Sequence, residues 1–297
     1  MQLNFLQEIQ QGNLQSLARC ISLIENQVPG SLELLKKLPF NQTPVIGITG
    51  PPGVGKSTLV NALMGEMIKK NKKPAVLCID PSSPFHHGAF LGDRIRMNQW
   101  ASHPGVYIRS LSSRGSLGGL NPRIFEITDL LRAAPFDYIL IETVGIGQSE
   151  LEIAGIADFT LLILMPGAGD EIQALKSGVL EIANLLVVNK ADHPGTNLFV
   201  KNLQSALHYG TRETQIVETI ATEGKGIEQL SAAIDKHIQS AQQHRELKLA
   251  EKAYRLILAE KMKEIEKPEL LEKIRKEAGS VHFNVYAFVD DYLAGRK

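Results

Sequence analysis

The stretch Gly50-Pro51-Pro52-Gly53-Val54-Gly55-Lys56-Ser57 limits what this chain can fold into more than any other feature. It matches G-x-x-x-x-G-K-[ST], follows the short apolar run Val45–Thr49, and opens a helical stretch reaching about Lys70. A strand, a glycine-rich turn and a helix in that order make a loop whose backbone N–H groups point inward around phosphate oxygens. The glycines permit that shape and a close approach of the ligand. The N-terminal end of the following helix adds its positive dipole. Lys56 is placed to reach β- and γ-phosphates and Ser57 to ligate Mg²⁺, with Thr58 completing the nucleotide-binding run.

Such a loop needs a parallel sheet behind it, and the chain supplies the runs for one. Short apolar segments alternate with amphipathic ones: Val45–Thr49, Ala75–Asp80, Val106–Ile108, Tyr138–Glu142, Phe159–Met165, Leu185–Asn189 and Gln215–Thr219. Runs of this length, apolar on both faces, suit strands covered by helices on either side. The alternation predicts an α/β domain with a doubly wound, mostly parallel sheet over residues 43–240. Residues 1–42 carry helical spacing through Leu14, Leu17, Ile21 and Ile24, then Leu32, Leu35 and Leu38, divided by Pro29-Gly30. Residues 241–297 read as a charged helical segment interrupted at Pro268. It is either a cap on the domain or a dimerisation arm.

Composition narrows the partners. Lys+Arg 32 against Asp+Glu 32 leaves no basic excess for a general polyanion binder, so nucleic acid is not expected. Cys20 and Cys78 form no C-x-x-C pair, which suits a reducing compartment, and a cytoplasmic location is expected. The N-terminus lacks a signal-peptide pattern, and Phe159–Met165 is too short to span a bilayer, so no membrane insertion is expected.

Two carboxylates close predicted strands, where a doubly wound sheet presents its ligand crevice: Asp80 and Glu142. Each is either a metal-site ligand or a polar strand terminator. Glu142 is the stronger, because Gly145 follows and its backbone N–H could contact the γ-phosphate. At the tip of a later run stands Asn189-Lys190-Ala191-Asp192, the N-K-x-D sequence that reads guanine. The Asp192 carboxylate can accept both N1–H and N2–H of guanine, a donor pair adenine lacks. Downstream, Ala221 in Thr219-Ile220-Ala221-Thr222 could offer a backbone N–H to the guanine carbonyl. His86-His87 reads as a solvated or partner-facing loop ahead of a metal site, since no Cys or third ligand accompanies it. The polar segment Ser112-Ser113-Arg114-Gly115 is either a linker or a nucleotide-sensing loop.

Together these residues resemble the MeaB/ArgK-type G-protein chaperones, the family of the mitochondrial methylmalonic aciduria type A protein. The resemblance rests on Gly50–Ser57, Asp80-Pro-Ser-Ser-Pro, Leu91-Gly-Asp93-Arg-Ile-Arg96-Met, Ser113-Arg-Gly-Ser-Leu-Gly-Gly119, Glu142-Thr-Val-Gly-Ile-Gly-Gln148 and Asn189–Asp192. It implies a homodimeric SIMIBI-class GTPase that chaperones a cobalamin-dependent acyl-CoA mutase, gating cofactor loading and protecting the mutase. It further implies a Mg²⁺ shell of Ser57, Asp80, Asp93 and Glu142. Arg96, Gln148, Asp170, Glu171, Gln173 and Lys176 are implied in the switches that sense the γ-phosphate and the partner. Catalysis would centre on Lys56, Glu142 and Gly145, with GTP and GDP as ligands. The chain departs from the family pattern at His86-His87-Gly88 and at Thr219-Ile220-Ala221. Competing readings are an ATPase or kinase serving a lysine/arginine/ornithine periplasmic-binding transport system, a nickel metallochaperone GTPase, and an interaction module with an inactive nucleotide site.

Overall fold

The structure is a computed structural model. It describes residues 2–39, 41–80, 98–100, 103–114, 119–145, 149–167, 179–208, 214–240, 245–262, 265, 267–277 and 284–294. The chain divides into two compact units, Met1–Gln242 and Gln243–Lys297.

The first unit is built on seven strands: β1 (Val45–Thr49), β2 (Pro74–Asp80), β3 (Tyr107–Ser112), β4 (Tyr138–Glu142), β5 (Phe159–Leu164), β6 (Leu185–Asn189) and β7 (Gln215–Thr219). They pair in parallel in the order β3-β2-β4-β1-β5-β6-β7, which is the doubly wound α/β fold expected. Every residue of β1, β2, β5 and β6 is buried, so their unbroken apolar runs reflect two covered faces. Alternation decides which face each side chain takes. Ala75, Leu77 and Ile79 of β2 join one core, while Val76 and Cys78 join the other.

The first of those faces is covered by α1 (Gln2–Gln10), α2 (Leu14–Glu25), α3 (Ser31–Leu35), α5 (Ile124–Arg132) and α6 (Ser149–Ala154). The second is covered by α4 (Lys56–Lys69) and α9 (Ile227–Ser240). Beyond β5 the first face is completed by α7 (Val179–Ile182) and α8 (Thr196–His208), which pack Val179, Phe199 and Leu203 on Leu162, Leu164, Leu186 and Val188. The N-terminal helices are part of this core: Leu17, Cys20, Ile21 and Ile24 bury against Ile127, Leu130 and Leu131. Asn13 starts α2 by accepting the Gln15 and Ser16 N–H groups at 3.0 and 3.1 Å, which an N-cap residue must do for donors that have no partner within the helix.

β3 runs four residues further than its apolar signal, taking in Arg109 to Ser112, because it is an edge strand with one polar flank. The second unit contains α10 (Arg245–Met262), α11 (Lys267–Glu277) and α12 (Val285–Ala294). Pro268 lies in the first turn of α11, where its missing N–H costs no helical bond. Asn284 caps α12 through the Tyr286 and Ala287 N–H groups at 2.9 and 3.1 Å. Among the described residues no helix is long and apolar enough to cross a membrane.

Candidate functional site

The C-terminal ends of β1, β2, β4 and β6 meet at one cavity of about 470 Å³, lined among others by Gly55, Lys56, Ser57, Asp80, Glu142 and Lys190. Sheet order explains this convergence. β1 lies between β4 and β5, so the loop leaving β1 rises beside the end of β4, and β2 flanks β4 on its other side.

The loop Gly50–Gly55 turns sharply into α4. Gly55 takes φ +93°, a left-handed conformation that a side chain would strain, and becomes the N-terminal residue of the helix. Lys56 is buried and bends back over the loop, donating from Nζ to the carbonyls of Gly50 and Pro51, each at 2.9 Å. Ser57, the next residue, donates from Oγ to Glu142 Oε1 at 2.6 Å across the floor of the cavity. Glu142 and Asp80 are 4% and 3% exposed, so both carboxylates sit well inside the protein, where charge is tolerated only with hydrogen bonds or cations nearby. Gly145 follows Glu142 at φ +79°. A Cβ there would run into the Gly50 carbonyl oxygen and come within 2.5 Å of Lys56 Nζ, so only glycine lets this loop close on the phosphate loop.

The residues Asn189-Lys190-Ala191-Asp192 divide their duties. Asn189 is 2% exposed, donates from Nδ2 to the Val54 carbonyl at 2.9 Å, and accepts from Thr219 Oγ1 at 3.1 Å and from the Ala221 N–H at 3.2 Å. Lys190, at φ +56°, donates from Nζ to the Gly53 carbonyl at 2.9 Å. Both therefore strap the end of β6 to the phosphate loop. Asp192 is exposed on the turn that follows. Lys225, in the turn after β7, is held above the ordinary lysine range by its Glu223 hydrogen bond and charge, and the Asp192 charge adds to the same pull. The Ala221 N–H, expected to face a base, is directed to Asn189 in this state.

Asp93, Arg96, Gln148, Asp170, Glu171, Gln173, Lys176 and the pair His86-His87 lie outside the described residues. Thr49 and Thr143, which stand in no assigned role in the sequence, also take part. Their hydroxyls meet at 3.0 Å, Thr143 donating, and join the start of the phosphate loop to the loop leaving β4. The available signal was a threonine closing the run Val45–Thr49 and another directly following the run Tyr138–Glu142.

A glycine-rich loop between a buried parallel strand and a helix, a lysine curled over it, and a guanine-type N-K-x-D strap define a P-loop nucleotide-binding protein. The chain belongs to the family described as methylmalonyl-CoA mutase-associated GTPase MeaB, whose family model matches residues 17–279. It is 40% identical over 241 residues to a GTPase of Pyrococcus horikoshii, covering 78% of this chain and 76% of the relative. It is also 40% identical over 198 residues to the mitochondrial methylmalonic aciduria type A homolog of Caenorhabditis elegans, covering 61% of this chain and 50% of that protein. Among solved structures, an LAO/AO transport system kinase superposes with a TM-score of 0.69 at 25% identity, covering 94% of this chain and 93% of the other. The protein is thus a GTPase of the MeaB family, and the family resemblance drawn from its motifs holds.

Proposed function

We propose that this GTPase works as a Mg²⁺-dependent switch on a cobalamin-dependent acyl-CoA mutase of the methylmalonyl-CoA mutase type, gating cofactor loading and protecting the partner. The observation that carries the switch chemistry is the convergence of Lys56, the Ser57–Glu142 pair and Asp80 on one cavity. Support for the partner comes from the family's association with methylmalonyl-CoA mutase and from the methylmalonic aciduria type A relative.

The donor set fits a Mg²⁺ ion. A hydroxyl and two buried carboxylates offer hard oxygen ligands beside a phosphate loop, and Mg²⁺ is usually held by one or two carboxylates plus phosphates and water. Ser57, Asp80 and Glu142 would hold it, with Asp93 as a further ligand. When bound, the ion neutralises charge that develops on the β- and γ-phosphate oxygens. Lys56, already inside the loop, exchanges carbonyl partners for phosphate oxygens and carries its charge to the same atoms. The Gly50–Gly55 amides and the α4 N-terminus hold the phosphates in line. Gly145 presents its N–H to the γ-phosphate and relays its presence to the switch that follows, including Gln148. Asp192 reads guanine. With low intrinsic turnover, the partner raises the rate by ordering the switches at Arg96, Gln148 and Asp170–Lys176. Residues 241–297 act as the homodimer arm, for which the exposed Leu249, Ile257 and Met262 of α10 offer apolar surface. The protein works in the cytoplasm, in keeping with two isolated cysteines that suit a reducing compartment.

Steady-state GTP hydrolysis with and without a purified mutase tests this. Acceleration by the mutase and capture of the pair on size exclusion are expected. A rate indifferent to every cobalamin mutase offered removes the partner assignment, and ATP bound as tightly as GTP removes the switch assignment. The transport-system reading, favoured by what the solved neighbour is called, predicts instead capture of a periplasmic-binding transporter in a pull-down.

A further inference from the structure

The N-terminal helices hold no residue of the phosphate or base site, yet α2 grips the strand end beside Asp80. β2 continues two residues past its last partner on β4, since that register stops at Cys78 opposite Glu142. On its other side β3 stays in register to the end, with Ser112 opposite Asp80, and the Ser113 N–H donates to the Asp80 carbonyl at 3.0 Å. The backbone of Asp80 is therefore set by the end of an edge strand. Such a strand has a strand neighbour on one side only, so side-chain contacts across its helix-covered face take a larger share in holding it.

Here α2 supplies them. Glu25, its side chain 13% exposed, pairs with Arg109 at 3.4 Å and with Arg114 at 3.5 Å. Arg109 also donates to Ser22 Oγ at 3.1 Å, and Arg114 to Asn26 Oδ1 at 2.9 Å. Arg114 directly follows Ser113 and stands at φ +49°, a conformation that residues with side chains adopt only when their surroundings impose it. Its own N–H is held by Ser112 Oγ at 3.2 Å, while Asn121, fully buried, donates to the Ser112 carbonyl at 2.7 Å. The residues that bracket the Asp80 contact are thus clamped from α2 and from Asn121 together.

We infer that Glu25 and Arg114 are positioning residues for the Asp80 carboxylate, so that the N-terminal helical layer is a working part of the metal half of the site. This rests on the reading of Asp80 as a member of the Mg²⁺ shell. Groups that orient a metal ligand typically change metal affinity by about 10–100-fold when removed, and acting through the backbone these two are expected to change it by about three- to tenfold.

The experiment uses the full chain and the fluorescent non-hydrolysable analogue mant-GMPPNP. It measures the Mg²⁺ concentration that half-maximally slows analogue release, and the release rate in EDTA, for wild type, Glu25→Gln, Arg114→Gln, the double variant and Asp80→Asn. Asp80→Asn is expected to raise the midpoint most. Each single variant raises it about three- to tenfold with the EDTA rate unchanged, and the double variant raises it by less than the product of the two single effects, because the residues share one ion pair while Glu25 also holds Arg109 and Arg114 also holds Asn26. An unmoved midpoint in Glu25→Gln, with Asp80→Asn shifted, overturns this inference alone. An unmoved midpoint in Asp80→Asn overturns the metal reading beneath it. Release accelerated equally with and without Mg²⁺ reveals general loosening and also overturns the inference. Should Glu25→Gln not fold, Arg114→Gln, whose side chain is 33% exposed, carries the same expectation.

Discussion

Strand β4 makes the same kind of hydrogen bond at both ends. At its start, the Tyr138 hydroxyl donates to Asp235 Oδ1 of α9 at 2.6 Å. At its finish, Glu142 Oε1 accepts from the Ser57 hydroxyl of α4, also at 2.6 Å. Length and chemistry are alike, a hydroxyl meeting a carboxylate between strand and helix. The settings differ. Tyr138 and Asp235 are half-buried, with Lys70 supplying a cation 3.5 Å from Asp235 and donating to Ser231 at 2.7 Å. Ser57 and Glu142 are 7% and 4% exposed and line a cavity at the mouth of the phosphate loop. A short hydrogen bond therefore says nothing by itself about function. What separates the two is which edge of the sheet they occupy, since in a parallel sheet the connecting loops converge at the C-terminal edge.

The comparison can be broken in four ways. Lys56→Ala has the largest expected effect, a loss of about 10²–10³ in single-turnover GTP hydrolysis, because it removes the cation that would exchange the Gly50 and Pro51 carbonyls for phosphate oxygens. A rate within a few-fold of wild type would show that the cavity is not the reaction site. Glu142→Gln should weaken Mg²⁺-dependent nucleotide binding by about 10–100-fold while leaving the melting temperature nearly unchanged, read by calorimetry with and without Mg²⁺. Asp192→Asn should lower GTP affinity by about 10–100-fold, the worth of a hydrogen-bonded charge, and improve binding of xanthosine triphosphate, whose C2 carbonyl accepts where guanine donates. Preserved preference for GTP would move guanine reading elsewhere.

Tyr138→Phe is the matched control with the smallest effect. Hydrolysis should not change, and stability should fall by about 1 kcal/mol, the ordinary worth of one such bond. Burial, then the hydrogen bond to Asp235 and the charges of Asp235 and Asp137, push the Tyr138 hydroxyl well above the usual tyrosine range. A folded-state pKa raised in this way favours the protonated form. Its stabilisation is complete below about pH 10 and disappears as pH rises from there toward the folded-state value. Urea titrations of wild type should lose stability over that alkaline span, and Tyr138→Phe should lose less. Equal alkaline losses would remove Tyr138 from that account.

Much of the fold is legible in local pattern. β1, β4, β6 and β7 occupy the residues their apolar runs marked, and β2 and β5 differ by one residue at one end. β3 does not follow its signal, for Arg109 and Arg114 are polar residues kept on or beside an edge strand by Glu25 of a distant helix. The Asn189-Lys190 pair was legible as a motif, but its bonds to Val54 and Gly53 were not.

By itself, then, the order of residues determined the phosphate loop, the guanine-type sequence, the alternation of buried strands and covering helices, and membership of the GTPase family. Those are properties of short segments, set by glycine conformations, side-chain periodicity and hydrogen-bonding capacity within a few residues. The meeting of Ser57 with Glu142, 85 positions away, was implied only through the family resemblance and its shared metal shell, and tertiary structure alone decided that Asn189 would brace Val54 across 135 and that Glu25 would grip the strand beside Asp80. Those contacts depend on β4 entering the sheet between β1 and β2, on β5 alone separating β1 from β6, and on α2 covering the face onto which Arg109 of β3 projects. Strand order and packing across the sheet bring such residues together, and local pattern carries no record of them.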